Sequence, residues 1–334
     1  MFIERGFYNA RMTSHGFDSH SGVYHYGHGI SAVDSVYDRR GQTAIHLLVE
    51  DGRAAVIDTG TSHAVPRVLA ALQAQGVEPA QVDYVILTHV HLDHAGGAGQ
   101  LMARFPNARL TVHPRGARHV IDPSRLLAAT AAIYGEAETR RVYGEILPVP
   151  TDRVTETPEG TTLRLAGREL LCLDAPGHAR HHVVIRDSRS GHIFAGDTFG
   201  LSYRELDQDG RQFSFPTTSP SQFDPLALHR SIDRMLSFAP QAIYVAHFGR
   251  LTNPAVLGAD LHRLIDAHAA LGERHRSAGA ERKRLLMEGV SGLVLAEHER
   301  QKWRFPREKT LEVFALDIEL NAQGLESWLD SEGK

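Results

Sequence analysis

The sequence predicts an α/β protein: a β-sandwich flanked by helices and followed by a helical extension. Three observations carry this. The chain reads as a strand-rich half, helices, a second strand-rich half and more helices. Pro148 and Pro150 punctuate the junction between the halves. After Pro254 the apolar spacing is helical to the end of the chain, with breaks expected near Gly289 to Gly292 and at Pro306. No short-period solenoid repeat is visible.

Each element follows from its residues. Residues 44–58 form a hairpin, because two apolar strands flank an Asp51-Gly52 turn. Residues 65–75 carry apolar side chains at helical spacing, and Gly76 stops them. Residues 82–87 are a strand ending at Thr88-His89, residues 96–105 a helix and residues 109–113 another short strand. Residues 126–143 read as one helix. Strands resume at 162–165, 169–174, 182–187 and 192–195, separated by Gly167 and Ser190-Gly191. Residues 212–225 are rich in Ser, Thr and Pro and read as a long loop, of the kind that serves function more often than not. Asp224-Pro225 opens a helix through residue 238, and residues 243–246 are a last short strand.

Composition excludes several classes. The 334 residues sustain a full-sized core, organised here as 1–255 with an extension over 256–334. Hydrophobic residues at 42% and charged residues at 23% are ordinary globular usage. A net charge of −4 makes no case for binding nucleic acid or an anionic membrane. No apolar run approaches the roughly 20 residues that span a bilayer, and residues 1–6 lack the apolar stretch of a signal peptide, so a cytoplasmic location is expected. Cys172 is the single cysteine, which removes any internal disulfide or all-cysteine metal site; it sits in an apolar strand, where a buried inert thiol is expected. Lysine is absent before Lys283, which removes a P-loop or Schiff-base lysine from most of the chain. The anomaly is 21 histidines.

Those histidines concentrate chemistry in Thr88-His89-Val90-His91-Leu92-Asp93-His94-Ala95-Gly96-Gly97. His89 and His91 are two apart on an extended segment and share one face. Asp93 and His94 fall where that segment passes into a helix, so four donors converge from about six residues. Imidazole and carboxylate donors suit zinc, iron or manganese. Three further donors follow apolar strands and a small residue: His178 after Ala175-Pro176-Gly177, Asp197 after Ala195-Gly196 and His247 after Val245-Ala246. If the strand ends share one edge, all of these groups meet there.

With this set, in this order, the sequence resembles the metallo-β-lactamase-fold superfamily over about residues 40–250. The resemblance implies a four-layer αββα sandwich with a metal site on one edge. It implies that His89, His91 and His178 hold one ion, that Asp93, His94 and His247 hold a second, and that Asp197 bridges them. The ions would be two divalent metals about 3.5 Å apart, zinc first, with iron or manganese as alternatives. Asp58, in Val-Ile-Asp-Thr-Gly, and His182 are expected to support the ligands from behind. His113 and His181 are expected in packing or surface roles, and the helical histidines 262, 268, 275 and 298 in solvent.

The resemblance implies hydrolysis of a small-molecule ester, thioester or lactone by a metal-bridging hydroxide, with Asp93 also handling a proton. The pattern looks more like the glyoxalase II and lactonase branches than true β-lactamases. The segments Gly196 to Gly200, Ser219 to Pro225 and His247-Phe248-Gly249 are similar to a bacterial and archaeal branch of the fold. Tyr203, Phe215, Phe223 and Arg250 are expected to line the pocket, and the C-terminal helices offer a homodimer surface or pack on the parent domain. Alternative readings on the same site are a phosphodiesterase, an iron-dependent oxygen-using enzyme of the persulfide dioxygenase kind, and a metal-bound sensor without catalysis.

Overall fold

The computed structural model describes residues 17–18, 22–218 and 222–332. The signal-peptide reading of residues 1–6 and Ser219-Pro220-Ser221 of the long loop lie outside the described residues. Strands β1 (Phe17–Asp18), β2 (Val23–Gly27), β3 (Ile30–Asp34), β4 (Ala44–Glu50), β5 (Arg53–Ile57), β6 (Val82–Ile86), β7 (Arg109–Val112) and β8 (Val154–Glu156) form an eight-stranded sheet in chain order. Strands β9 (Thr162–Leu165), β10 (Arg168–Asp174), β11 (Val183–Asp187), β12 (Ile193–Leu201), β13 (Ala242–His247) and β14 (Gly249–Thr252) form a six-stranded sheet, ordered β14-β13-β12-β11-β10-β9.

Strand direction decides where the chemistry falls. β5 to β8 are mutually parallel, so the residues after β5 and β6 emerge at the same edge. In the second sheet β12 and β13 are parallel, and β11 runs antiparallel to both β10 and β12. The carboxyl ends of β10, β12 and β13 therefore also share an edge.

The first half contributes helices α1 (Val65–Ala74), α2 (Leu92–Ala95), α3 (Ala98–Arg104), α4 (Pro114–Ile121), α5 (Ser124–Tyr134) and α6 (Glu136–Tyr143). The second contributes α7 (Pro225–Ser237), α8 (Pro254–Arg274), α9 (Arg282–Gln301), α10 (Arg307–Val313) and α11 (Ala315–Glu332). Three apolar cores separate four layers. Val68, Leu72 and Leu101 pack on Leu47, Val56 and Val85 of the first sheet. Between the sheets, Leu48, Ile57 and Ile86 meet Cys172, Ile185 and Phe194. On the far face of the second sheet, Ile193 and Val245 share one core with Ile232 of α7, Leu264 of α8, Val290 of α9 and Leu325 of α11. The architecture is the αββα sandwich expected, with a C-terminal helical region built onto its last layer. At the strand ends away from the ligand edge, Arg168 bonds Asp187 through two nitrogens (2.6 and 2.5 Å) and reaches Glu50 of the other sheet at 3.1 Å.

Several elements depart from the sequence reading. Strands β2, β3, β8 and β14 lie outside it; each has three to five residues, too few to establish a period. The helix expected over 126–143 is split by Gly135, which adopts φ +84°. Helix α9 runs unbroken through Gly289 and Gly292, and the turn falls at residues 275–281 instead. Gly289 is a packing residue: a Cβ there would stand 2.2 Å from Leu271 Cδ1 on α8. His268 and His298 are buried rather than solvated, bonding Leu264 O at 2.7 Å and Thr310 Oγ1 at 2.9 Å. The apolar stripes at 261–271 and 311–329 that suggest a dimer surface contribute Leu261, Ile265, Phe314 and Leu329 to the chain's own core. Cys172 is buried, and burial pushes its thiol up to about 12. Among the described residues no helix is long and apolar enough to cross a membrane.

His46 gives the fold an acid limit. It lies buried between Phe194 and Tyr244, with ring centroids at 5.6 and 5.4 Å, and burial pushes its pKa down to about 3. An unfolded chain takes up this proton near pH ~6.5. The contribution is therefore complete above that pH and lost as pH falls toward 3, by about 1.4 kcal/mol per pH unit. His46→Phe is expected to reduce the proton uptake on unfolding by about one between pH 4.5 and 6. Urea unfolding of both proteins across that interval measures it, and identical slopes would refute the assignment.

Candidate metal centre

The edge shared by β5, β6, β10, β12 and β13 gathers the donors. Beyond β6 the chain bends at Thr88 and reaches His91, whose φ −63° and ψ 148° make it the extended residue before α2. His89 thus follows that bend and His91 projects from extended backbone, while Asp93 and His94 occupy the single-turn α2. His178 follows β10 on a loop, Asp197 lies within β12, and His247 ends β13.

The ligand atoms fall into connected groups. His89, His91 and His178 bring one atom each to within 4.8 Å of one another, as do His89, His94 and Asp197, and again Asp93, His94 and His247. His91 Nδ1 is 2.9 Å from His89 Nε2 and 3.1 Å from His178 Nε2. His94 Nε2 lies 3.1 Å from Asp93 Oδ2, and His247 Nε2 lies 3.5 Å from the same oxygen. Asp197 stands between the groups. Its Oδ2 is 3.5 Å from His178 Nε2, and its Oδ1 is 3.5 Å from both His94 Nε2 and His247 Nε2.

The outer hydrogen bonds set the tautomers. Thr88 Oγ1 donates to Asp58 at 2.9 Å, so its lone pair accepts from His89 Nδ1 at 3.1 Å. Asp58 Oδ2 accepts from His94 Nδ1 at 3.3 Å. His178 Nδ1 donates to Thr217, with Oγ1 at 3.0 Å and O at 3.2 Å, and His247 Nδ1 to Gln42 O and Thr43 Oγ1, both at 3.1 Å. Four imidazoles therefore aim Nε2 lone pairs inward, while His91 presents Nδ1. His182 is turned away: its Nε2 accepts from Asp197 N at 3.2 Å and its Nδ1 donates to Thr198 Oγ1 at 3.1 Å. It holds the Asp197 backbone.

This arrangement fits cations. Lone pairs that face one another repel unless a positive charge lies between them, and His94 Nε2 and Asp197 Oδ1 are buried without a hydrogen-bond partner. Burial, reinforced by the surrounding imidazoles, holds His89 and His91 well below the ordinary histidine range, which keeps them neutral donors. Burial opposes ionisation of Asp197, but His94, His247 and His178 outweigh it and hold the carboxyl far below its usual range. Asp93 and Asp197 in turn, against burial, hold His94 well above the ordinary histidine range and His247 up at about 10, protons whose place a bound cation would take. Neutral imidazoles and ionised carboxylates are the ligand forms of zinc, iron and manganese sites.

Asp58→Ala removes the acceptor for both Thr88 and His94. Loss of an outer partner of this kind costs about 10–100-fold in metal affinity or activity. Competition with a chromogenic chelator is expected to show that weakening, with the fold intact by circular dichroism; unchanged affinity would count against the role.

Of the expected pocket residues, the three aromatics Tyr203, Phe215 and Phe223 belong to the apolar core of the last layer. Phe215 is 1% exposed and packs on His268 and Phe314; Phe223 is buried against Trp328. Tyr203 is buried, with its hydroxyl on both oxygens of Asp317 at 2.9 Å. Arg250 lies over the Tyr26 ring at 5.4 Å. A loop without period gives no sign of which side chains turn inward, and these aromatics went to the core. The sequence reading missed Thr88, Thr217 and Gln42 as acceptors. Thr88, adjoining His89, was the one a search for hydroxyls beside ligands could find.

Sheets stacked between helices, with a buried histidine and aspartate cluster on their common edge, define a metal-binding αββα protein. The chain belongs to the metallo-beta-lactamase superfamily, whose family profile matches residues 38–247. A hydroxyacylglutathione hydrolase of Xanthomonas axonopodis pv. citri (strain 306) is 31% identical over 238 residues, covering 71% of each chain. Among solved structures, a metallo-beta-lactamase family protein of Thermus thermophilus superposes with a TM-score of 0.58 at 21% identity, over 91% of this chain and 94% of that one. An archaeal superfamily protein of Sulfolobus tokodaii gives 0.57 at 22% identity, over 71% and 86%. These two likenesses concern the fold.

Proposed function

We propose that the chain is a binuclear metal-dependent hydrolase of a small-molecule thioester or related ester. One observation carries the reading: the two oxygens of Asp197 face different histidine groups, Oδ2 toward His178 and Oδ1 toward His94 and His247. His89, His91 and His178 would hold one ion, and Asp93, His94 and His247 the other, with Asp197 common to both. Zinc is the first choice for these donors. Bound divalent ions supply a water of lowered pKa and a Lewis acid for the substrate's carbonyl oxygen.

The protein supplies the rest. Asp58, Thr88, Thr217 and Gln42 fix the imidazole orientations, so no reorganisation is needed during turnover. Asp93 is half-buried at the cluster's margin, placed to accept a proton and return it to the leaving group. The name of the Xanthomonas relative supports the thioester class.

The test joins elemental analysis of purified protein to a panel of a hydroxyacylglutathione thioester, a carboxylic ester, a lactone and a phosphodiester, with oxygen uptake on a persulfide as the last arm. Two ions per chain with thioester or ester turnover is expected. One iron with oxygen consumption, phosphodiester turnover alone, or two ions with no turnover on any arm would overturn the reading.

A further inference from the structure

A second histidine cluster lies away from the centre, where α7 crosses α8. His229 and Asp233 occupy successive turns of α7; His262 and Asp266 do the same on α8. The pairs interlock. His229 Nε2 is 3.0 Å from Asp266 Oδ1, His262 Nε2 is 3.0 Å from Asp233 Oδ1, and the two Nδ1 atoms face each other at 2.6 Å. The rings are nearly parallel, 16° apart, with centroids at 4.8 Å.

Counting protons exposes a deficit. The chain Asp266–His229–His262–Asp233 has three close contacts, and two neutral imidazoles carry two N–H groups. Carboxylates only accept, so both protons sit on Nε2. The two Nδ1 atoms are then bare lone pairs in contact, an arrangement that requires a cation. An imidazole whose far nitrogen donates to a carboxylate is also the usual form of a histidine metal ligand. The same close approach of ring nitrogens, at 2.9 and 3.1 Å, marks the catalytic cluster.

We propose that His229 and His262 form a further metal site, binding one zinc-class divalent ion through their Nδ1 atoms. Charge favours a divalent ion over a shared proton. Two carboxylates and one proton leave the cluster one charge negative, whereas one divalent ion balances it. Two of the arginines beside the cluster are engaged elsewhere, Arg263 with Asp260 and Glu297, and Arg234 with Glu159. Two ligands at about 2.0–2.1 Å from a tetrahedral ion stand about 3.3–3.4 Å apart, so the rings part by less than about 1 Å on binding. Both side chains are partly exposed, at 22% and 27%, which leaves water to complete the coordination.

The ion would clasp the C-terminal helices to the helix that backs the catalytic loop. Asp224, the residue before α7, donates its N–H to Gly177 O at 2.8 Å, and Ser231 of α7 donates to Pro176 O at 2.7 Å, one and two residues before His178.

The experiment titrates Zn²⁺ into purified protein with its catalytic centre already occupied, comparing wild type with His229→Gln, His262→Gln and the double variant. Elemental analysis after gel filtration counts ions per chain, and the thermal midpoint is followed with and without added zinc. Wild type is expected to retain one ion more than each variant, and zinc to raise its midpoint but not theirs. Cu²⁺ bound at the same place should give a two-nitrogen electron paramagnetic resonance pattern, lost in the double variant. Basal turnover should match throughout, which confirms that the variants fold. Equal ion counts in wild type and variants would overturn the proposal. So would a wild type that gains no ion but loses stability relative to the double variant as pH rises from 5.5 to 7.5, since that result assigns the slot to a proton. Each readout is a difference between proteins sharing one catalytic centre, so failure here leaves the proposed function standing.

Discussion

Asp197→Ala is expected to release metal and abolish turnover together. The carboxylate is buried, and its oxygens face opposite halves of the cluster at 3.5 Å. Removing it leaves His94, His178 and His247 without the anion that pulls cations toward their Nε2 atoms. Loss of an outer partner already costs about 10–100-fold; loss of the group common to both halves should exceed the upper figure, so kcat/KM is expected to fall by more than about a hundredfold. Asp197→Asn keeps the shape and one carbonyl oxygen but not the charge, and should rank between alanine and wild type in metal retention. The measurement is metal per chain beside kcat/KM for all three proteins. An alanine variant holding a full metal complement at wild-type turnover would remove the basis for a shared centre.

The parts of this centre legible in the sequence were those that side-chain identity encodes. His89, His91, Asp93 and His94 lie within six residues, so their convergence follows from local geometry. His178 and His247 could be read because they lie just past or at the end of an apolar strand, and the common direction of β10, β12 and β13 delivers those ends to one place. Asp197, expected past a strand end, instead lies inside β12, which runs on to Leu201 through a register shift. The orienting contacts were hidden for a physical reason. The imidazole Nδ1 atoms of His178 and His247 meet the backbone carbonyls of Thr217 and Gln42, and a carbonyl leaves no mark on residue type; the hydroxyls of Thr217 and Thr43 beside them lie 39 and 204 residues away along the chain. The loop aromatics Phe215 and Phe223 were misplaced because an aperiodic segment does not reveal its inward face. Gly289 reads as a helix breaker because sequence does not distinguish a glycine that ends a helix from one that admits a neighbouring leucine. The His229–His262 pair was invisible for the opposite reason: its members are 33 residues apart, on helices whose crossing no local pattern specifies.

Gly177→Ala tests whether the backbone around His178 is as constrained as the contacts indicate. Gly177 has φ +130°, a conformation that side chains rarely adopt, and a Cβ there would stand 2.4 Å from both N and Cα of Leu228 in α7. These are helix backbone atoms and cannot rotate away. Asp224 N–H on Gly177 O and Ser231 on Pro176 O close the remaining escape, so either α7 or the loop must shift. Overpacking costs about 1–3 kcal/mol and a disfavoured backbone conformation about 1–3 kcal/mol more. A loss of about 2–6 kcal/mol is expected from these two costs. Metal binding should weaken with it, because the next residue, His178, meets His91 at 3.1 Å. Gly191→Ala is the control: it too has positive φ, at +71°, but its Cβ would meet nothing within 4 Å. That variant should lose only the conformational share and keep its metal. Denaturant unfolding and metal content of the two variants decide the matter. If Gly177→Ala were no less stable than Gly191→Ala and equally loaded with metal, the loop would have room that the packing against α7 denies, and its close seating could not be what positions His178.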